Sequence, residues 1–345
     1  MSSTDLSWSL AGIWNQSLEQ RPEKELKPRA KIWASEIGGA MIDRYLKMMG
    51  ERPSNPFSAR SLRKFEAGNL AEWVVGMVLK RAGIAYEAQK WSSFRYPGQL
   101  EVTGKADYVV EGKPDWEEAG FQISKLELPE FFGRATDAIM DHFSKSYPDG
   151  LRKVVLEIKS CSGMMFDKYQ NLGPDPRHQC QLFHYLKADN LPEGHIVYFS
   201  KDDLRLAEFG VMNPSPVEDL YRDDIEAISH YYTRGIRPEK EKEVIFDEFS
   251  GKFSANFKVG YSTYLTALYD FQDQAEFDTK YKPQVARWNR TLGRILAGAN
   301  MTDLNKQSIE EIKKEFPDFD EKVEILKAKG IKIEENEEGG ETTNG

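Results

Sequence analysis

An apolar strand that ends in two opposite charges constrains this chain more than any other segment does. Residues 154–159 read Val-Val-Leu-Glu-Ile-Lys. The first, third and fifth residues share one face of a strand and are wholly apolar, whereas the opposite face ends with Glu157 and Lys159. Glu-x-Lys also begins at Glu25, Glu111 and Glu311, but none of those follows an apolar strand. The position after an apolar strand therefore distinguishes this triplet from the other three. The alternative interpretation is a surface ion pair at the end of a strand.

A second apolar segment places an acid about fifty residues earlier. Residues 104–110 read Gly-Lys-Ala-Asp-Tyr-Val-Val, with Asp107 before the apolar run. Magnesium prefers hard oxygen ligands and usually keeps one or two carboxylates, waters and substrate phosphate. Asp107, Glu157 and the carbonyl of Ile158 supply three such oxygens, with Lys159 beside them. The two strands predict a Mg²⁺ (or Mn²⁺) site suited to phosphodiester hydrolysis; a strand-end Asp in a turn is the alternative for Asp107.

A third acid lies in a predicted helix that is apolar on nearly all sides. Residues 70–79 read Leu-Ala-Glu-Trp-Val-Val-Gly-Met-Val-Leu, and Glu72 is their one charge. A helix of this kind is buried, and a Glu is almost never fully buried unless it is paired. Glu72 therefore requires a partner, for which Lys159 or the metal would serve. The alternative is a surface Glu at the one exposed position of a half-buried helix.

Gln181 and Tyr185 are separated by one helical turn and so share a helix face. Their helix, predicted over 177–188, follows the Glu-x-Lys strand. The functional interpretation gives Gln181 a hydrogen bond near the site and lets Tyr185 pack against or contact nucleic acid. The alternative is a partly exposed amphipathic helix.

The order of predicted elements divides the chain into four parts. Residues 1–58 form an N-terminal helical segment, and 59–215 form the core, with an insertion at 111–150 that could act as a flap. Residues 216–330 form a mostly helical extension, and 331–345 an acidic, disordered tail. Within the core we predict a helix over 59–82, strands at 84–91, 98–103, 106–110 and 152–159, the helix at 177–188, and a hairpin from Ile196–Phe199 and Leu206–Val211.

Composition sets limits on the class of protein. The 345 residues are 40% apolar and 30% charged, which fits a soluble globular chain without a membrane-spanning run. Two cysteines and an N-terminus without a basic, apolar leader predict a reducing compartment, the cytoplasm of a bacterial or phage-infected cell. The net charge of −9 argues against a sequence-independent coat on DNA but only weakly against an enzyme with a locally basic cleft.

The four motifs occur in an order that resembles a known superfamily. Gly68-x3-Glu72, Gly104-x2-Asp107, Glu157-Ile158-Lys159 and Gln181-x3-Tyr185 are similar to the PD-(D/E)XK nucleases, in their RecB-like and phage lambda exonuclease-like branch, over about residues 35–215. The resemblance implies an α/β fold with a restriction-endonuclease-like core, which is a central mixed sheet flanked by helices, and here a helical C-terminal extension. It also implies that Asp107, Glu157 and Glu72 bind metal, that Lys159 is the catalytic lysine, and that Gln181 and Tyr185 are an accessory pair.

The same resemblance implies the substrate and the partners. DNA is the substrate, the process is recombination, repair or phage DNA processing, and a single-strand annealing protein or a helicase is the implied partner. Some CRISPR-associated relatives hold an iron–sulfur cluster with four cysteines, but Cys161 and Cys180 are too few. We therefore expect no cluster.

Basic residues outside the four motifs give weaker predictions. Arg287, Arg290 and Arg294 recur at helical spacing around Trp288 and could follow a phosphate backbone. A solvated helix face over a packed tryptophan explains the pattern as well. Arg177 and His178 lie near Gln181 and could touch DNA, although such residues more often only cap or coat a helix.

Three functions remain to be weighed. A Mg²⁺-dependent deoxyribonuclease, more specifically an exonuclease, explains all four motifs. A catalytically silent DNA-binding or assembly protein that keeps the fold is the alternative, although the set of two acids and a lysine is complete. A two-carboxylate glycosidase leaves Lys159 and the helix of Gln181 and Tyr185 unexplained.

Overall fold

The computed structural model describes residues 10–19, 26–111, 133–134, 137–138, 141, 145, 153–247 and 250–331. Most of the predicted insertion and all but the first residue of the predicted tail lie outside these residues. The chain divides into two compact units, Met1–Arg52 with Phe57–Pro238 and Pro53–Pro56 with Glu239–Gly345. Among the described residues, no helix is both long and apolar enough to cross a membrane.

A mixed β-sheet forms the centre of the first unit. Its described strands run in the order β1-β3-β4-β5-β6, and β2 pairs with β3. This confirms the predicted α/β fold with a central mixed sheet flanked by helices. The predicted hairpin is present as β5 and β6, and the two strands predicted at 98–103 and 106–110 are one strand, β3. The strands are β1 Lys31–Trp33, β2 Ala85–Phe94, β3 Glu101–Glu111, β4 Val154–Cys161, β5 Glu193–Ser200 and β6 Leu206–Met212.

Strand β3 has a short gap along one edge. Its partner β2 runs antiparallel to it from Ala85↔Glu111 to Phe94↔Val102 and occupies one edge throughout. The other edge is shared: β1 pairs in parallel with 101–103, and β4 pairs antiparallel with 108–110. Residues 104–107 lie between these two ladders. Asp107 is therefore at the point where β4 leaves β3.

Helices cover both faces of this sheet. Helix α3 (Ala59–Arg81) contributes Ala71 and Leu79 to a core that includes Leu156 and Ile158 of β4, as the strand alternation predicted. Helix α5 (Pro176–Asp189) covers the opposite face, where a side chain at Gly194 would meet Leu182 and Leu186. The helices of this unit are α1 Leu10–Glu19, α2 Met41–Met48, α3 Ala59–Arg81, α4 Gly163–Leu172, α5 Pro176–Asp189 and α6 Glu218–Arg234.

Local sequence signals explain where the two main helices begin and how closely they pack. Ser58 caps α3 by accepting a hydrogen bond from the Ser61 amide, and Asp175 caps α5 ahead of Pro176, both common N-terminal arrangements. Gly76 lets α3 approach the sheet, because a Cβ there would lie 2.5 Å from the hydroxyl of Tyr108. That hydroxyl instead donates to the carbonyl of Glu72 at 2.7 Å.

The second unit has its own core. Phe253 and Trp288 are buried at its centre among residues of the helices that follow. The unit is mostly helical, as predicted, and also contains a two-stranded hairpin. Its elements are β7 Val244–Asp247, β8 Lys252–Ala255, α7 Phe257–Gly260, α8 Leu265–Tyr269, α9 Gln274–Leu296, α10 Asp303–Glu315 and α11 Phe319–Ala328.

The unit boundaries differ from the predicted ones in two places. The N-terminal segment was expected to be helical, yet residues 31–33 form β1 and join the sheet. The predicted core ended at 215, whereas the first unit continues to Pro238. The reason is α6, whose Tyr221 hydroxyl lies 2.9 Å from Nδ1 of His184 in α5.

Candidate active site

Asp107 links the two strands that carry the predicted acids. Its side chain is 8% exposed, and Oδ2 accepts a hydrogen bond from the backbone N–H of Ile158 at 2.7 Å. The regular β3–β4 ladder ends at Tyr108↔Leu156. The Asp107 carboxylate thus satisfies the first backbone donor beyond that ladder and lies directly beside Glu157 and Lys159.

Glu157 and Lys159 form a buried ion pair on the face covered by α5. Nζ of Lys159 donates to Oε1 of Glu157 at 2.5 Å and to Oε1 of Gln181 at 2.9 Å. The exposed fractions of the side chains are 2% for Glu157 and 22% for Lys159. Oε2 of Glu157 is buried and has no hydrogen-bond partner among the residues that the structure describes. A buried oxygen of this kind is costly unless a ligand or ion completes it.

Gln181 and Tyr185 connect the lysine to the neighbouring strand. Nε2 of Gln181 donates to the Tyr185 hydroxyl at 3.2 Å, which donates to the carbonyl of Lys105 at 2.8 Å. Gly104 leaves room for this contact, since a Cβ there would lie 3.0 Å from the Tyr185 ring. The expectation that Tyr185 contacts nucleic acid is not met, because its side chain is only 1% exposed. Its hydroxyl instead contacts Gln181 and the carbonyl of Lys105.

Glu72 of α3 has Gln89 as a hydrogen-bond partner, which the sequence did not indicate. Nε2 of Gln89 lies 3.3 Å from Oε2 of Glu72 and 3.5 Å from Oδ1 of Asp107. One amide group therefore spans the two acids. Glu72 is partly buried, between the two environments that the sequence left open.

Gln89 also has an unusual backbone. Its φ of +53° lies in the left-handed region in the middle of β2, a conformation that costs a non-glycine residue energy and is frequent at functional sites. Before it, Tyr86 packs in the core under α3; after it, Lys90 pairs with Asp189 of α5. These two residues would share a face in a regular strand, so the side-chain alternation reverses at Gln89.

No signal in the sequence distinguished Gln89 from other polar residues of a predicted strand. Its role depends on Asp107, eighteen positions away, and on the left-handed backbone. A glutamine gives no hint of such a conformation, for which glycine or asparagine is the usual residue.

The carboxylates of this cluster are held at an energetic cost. Burial, and then repulsion by Asp107, raises the pKa of Glu72 to about 7. Burial raises the pKa of Glu157 to about 8 despite the Lys159 charge, and it raises the pKa of Asp107 as well. Burial by itself would lower the pKa of Lys159, but the nearby carboxylates outweigh it, so this pKa lies above its ordinary value and the amine stays charged. The cluster is short of positive charge, a condition that a bound cation would relieve.

The donor set fits a hard divalent ion that keeps most of its waters. Asp107 and Glu157 provide carboxylate oxygens, and Oε2 of Glu157 accepts no hydrogen bond from the described part of the chain. Within the described residues, however, no three His, Cys, Asp or Glu side chains are arranged to hold one metal ion together. The predicted inclusion of Glu72 as a ligand is thus without geometric support, whereas two carboxylates with water are a usual Mg²⁺ set.

The basic residues near Gln181 are engaged within the protein. The Arg177 guanidinium binds both carboxylate oxygens of Asp175, at 3.1 and 2.8 Å. Nδ1 of His178 lies 2.8 Å from the Tyr198 hydroxyl. Burial, with the nearby Lys159 charge, lowers the pKa of His178 to about 3, so the imidazole is neutral at pH 7. The predicted contacts of Arg177 and His178 with DNA stay predictions.

The arginines of α9 belong to the second unit. Arg287 pairs with Glu311, and Arg294 donates to the carbonyl of Asn300 at 3.3 Å. Trp288 is 1% exposed, so it is a core residue and offers no stacking surface. Arg290 is exposed, and its proposed contact with DNA stays a prediction.

Comparisons with known proteins give remote structural similarity alone. No family model matches the chain, and no curated protein matches it. Among solved structures, SSO0001 is similar at a TM-score of 0.39 and 13% identity, over 68% of this chain and 87% of that chain.

Two further solved structures are of an alkaline exonuclease. LHK-Exo in complex with dAMP is similar at a TM-score of 0.38 and 12% identity, over 60% of this chain and 90% of that chain. The alkaline exonuclease LHK-Exo from Laribacter hongkongensis is similar at a TM-score of 0.34 and 12% identity, over 65% and 97%. With TM-scores below 0.5, these similarities establish neither a family nor an activity for this chain.

Proposed function

We propose that this chain is a metal-dependent deoxyribonuclease of the PD-(D/E)XK type, and more specifically an exonuclease. The observation that carries the proposal is the network that joins Asp107, Glu157 and Lys159 across β3, β4 and α5. Two acids and a lysine that meet on adjacent strands are suited to bind a divalent ion and a phosphodiester. The second carboxylate oxygen of Glu157, which accepts no hydrogen bond from the described residues, would be available to that ion.

Each residue of the network has a distinct proposed role. Asp107 and Glu157 would hold Mg²⁺ or Mn²⁺, and a divalent ion there would acidify a water and neutralise charge on the phosphate. The charged Nζ of Lys159 would face the phosphate and stabilise the negative charge that develops on it. Gln181, held by Tyr185, would help to fix the position of the Lys159 ammonium beside Glu157.

The residues of the network also account for the placement of the acids. The Ile158 amide holds one oxygen of Asp107, which leaves the other oxygen near Gln89. Preorganisation of this kind is what electrostatic catalysis requires, because the groups need not reorient during the reaction. DNA is the proposed partner, and neither a membrane nor an iron–sulfur cluster enters the proposal.

A cleavage assay tests the proposal. End-labelled linear DNA and closed circular DNA are incubated with the protein and Mg²⁺, Mn²⁺ or a chelator, beside Lys159→Ala and the exposed control Lys168→Ala. We expect metal-dependent loss of the linear substrate, intact circles, and a loss of activity roughly 100-fold or more for Lys159→Ala alone. Cleavage of circles as well would support an endonuclease.

Two results of these measurements would contradict the proposal. If linear and circular DNA both survive in Mg²⁺ and in Mn²⁺, the protein is not this kind of enzyme. DNA binding that persists unchanged in Glu157→Ala, without cleavage by the wild type, would instead favour a catalytically silent DNA-binding protein.

A further inference from the structure

Two exposed tryptophans lie beside the candidate active site, on the two strands β1 and β2 that pair with β3. Trp33 of β1 is 36% exposed and Trp91 of β2 is 54% exposed. Their ring centroids are 5.6 Å apart with planes tilted by 39°. Tryptophan is usually highly buried, so an adjacent exposed pair is informative in a way that a single exposed residue is not.

A cation accompanies each ring. Nζ of Lys105 lies 5.0 Å from the centroid of Trp91, and the Arg29 guanidinium lies 5.6 Å from that of Trp33. Arg29 is fixed there by both carboxylate oxygens of Glu36, at 2.7 and 2.6 Å. We call Trp33, Trp91, Arg29 and Lys105 the aromatic platform.

The platform is connected to the site by strand register. Trp91 lies directly opposite Lys105 on the β2–β3 ladder, and each is two residues from a site residue, Gln89 and Asp107 respectively. Two residues along a strand span about 7 Å. Since Lys90 and Ser92 contact Asp189 of α5, Trp91 between them projects from the opposite face, the face on which α3 carries Glu72.

We propose that the aromatic platform binds an unpaired nucleobase of a DNA strand whose backbone enters the candidate active site. The inference deepens the proposed nuclease function and rests on it. Every base has a flat π-face that stacks on an indole, and Lys105 supplies positive charge for an adjoining phosphate. A neutral apolar partner would not need that cation.

Bases in a duplex already stack on their neighbours, so their faces are not available to a protein ring. The platform therefore selects single-stranded DNA or a frayed end. A base that stacks on Trp91 is a stronger contact than an exposed cation–π pair, so Lys105 can leave the ring for a phosphate. A structural role, in which the rings merely bind β1 to β2 across β3, is the competing explanation.

Binding measured without cleavage tests the proposal. Fluorescence anisotropy of a labelled thymidine 20-mer is followed in chelator for the wild type, Trp91→Ala, Trp33→Ala and Trp14→Ala. Trp14 is a matched control, because it is 46% exposed and has Arg63 5.9 Å from its ring, but it lies on α1. We expect affinity to fall about 10-fold for the two platform variants and to be unchanged for Trp14→Ala.

Two further substitutions separate stacking from structural packing. Trp91→Phe keeps an aromatic face and should retain most of the affinity, whereas Trp91→Leu keeps apolar bulk but not stacking and should lose it. The leucine and phenylalanine variants also decide the question if Trp91→Ala does not fold. Equal affinity of Trp91→Leu and wild type for the single strand would overturn the proposal. The same anisotropy measurement with a labelled blunt duplex gives a second test, because an equal loss of affinity for duplex and single strand would also overturn it.

The assay also separates this proposal from the nuclease proposal. Metal-dependent cleavage with affinity independent of Trp33 and Trp91 would reject the platform and leave the nuclease intact. Platform-dependent binding by a protein that never cleaves DNA would reject the nuclease and show a single-strand-binding surface in its place.

Discussion

At the scale of single residues, the candidate site is defined by a charge imbalance around one lysine. Lys159 binds Glu157 and Gln181, while Asp107 and Glu72 add further negative charge nearby. An ion pair that is mostly buried contributes little net stability, because desolvation offsets much of the attraction. The presence of this pair after the apolar start of the strand is better explained by function than by a contribution to folding.

Replacing the buried acid should separate stability from activity. Glu157→Gln keeps an oxygen that can accept a hydrogen bond from Lys159. It removes the ionisable carboxyl group, whose burial raises its pKa to about 8. We expect the free energy of unfolding in chelator to be unchanged or higher and DNA cleavage to fall roughly 100-fold or more. Urea denaturation and end-labelled cleavage measure the two quantities, with exposed Glu87→Gln as the control. A variant that unfolds more easily but cleaves normally would contradict this.

Gln89 gives a second prediction at this scale. Its left-handed backbone costs an L-residue roughly 1–2 kcal/mol, which glycine avoids in the folded state. Gln89→Gly should therefore be as stable as wild type or slightly more so, yet need a several-fold higher Mg²⁺ concentration for half-maximal cleavage, since no amide then joins Glu72 and Asp107. Gln89→Asn, which tolerates the same backbone, should lie between them. Identical Mg²⁺ titrations for all three proteins would exclude a positioning role for Gln89.

At the scale of elements, the site depends on how closely two helices approach the sheet. Helix α5 places Gln181 and Tyr185 over Gly104. Helix α3, which bears Glu72, lies close to the sheet because Gly76 leaves room for Tyr108. The sequence predicted both helices within one or two residues, because capping residues and apolar spacing are local signals. It did not reveal the close approaches, because they depend on residues distant in the chain.

The α3 contact can be tested by a double-mutant cycle. A Cβ at position 76 would lie 2.5 Å from the Tyr108 hydroxyl oxygen, so Gly76→Ala should destabilise the fold by about 1–3 kcal/mol. In a Tyr108→Phe background the same change should cost clearly less, because the clashing oxygen is gone.

Gly68→Ala in the same helix is the control for that cycle. A Cβ at position 68 would meet Ser160 at 3.4 Å, an ordinary contact, so this change should leave stability unchanged or raise it through helix propensity. Additive effects of Gly76→Ala and Tyr108→Phe in urea denaturation would show that α3 does not depend on this contact.

At the scale of the whole molecule, the two units differ in their expected response to metal. The first contains the buried carboxylates, whereas the second has an apolar core around Phe253 and Trp288. The pKa values of Glu72 and Glu157, about 7 and 8 in the fold, exceed the unfolded value near 4.5. The folded state thus binds more protons between pH 4.5 and 8, and these groups make it less stable as pH rises through that range.

A cation that replaces those protons should reverse the trend. We expect Mg²⁺ to raise the thermal unfolding midpoint of the first unit more at pH 8 than at pH 6, since binding requires ionised carboxylates. Hydrogen exchange should slow in β3 and β4 but not in α9 to α11. Glu157→Gln should lose both effects. Equal stabilisation at the two pH values, or protection confined to the second unit, would place the metal elsewhere.

The sequence by itself determined the local elements and the chemistry that they carry. Strand alternation separated Leu156 and Ile158 from Glu157 and Lys159, and helical spacing put Gln181 and Tyr185 on one face; both patterns repeat over a few residues and so can be read from the chain. The tertiary structure alone decided which groups meet. It brought Gln89 between Glu72 and Asp107, buried Tyr185 and Trp288, and exposed Trp33 and Trp91 beside the site. These outcomes depend on strand register, a reversed alternation and helix approach, which arise from contacts between distant residues that no local pattern encodes.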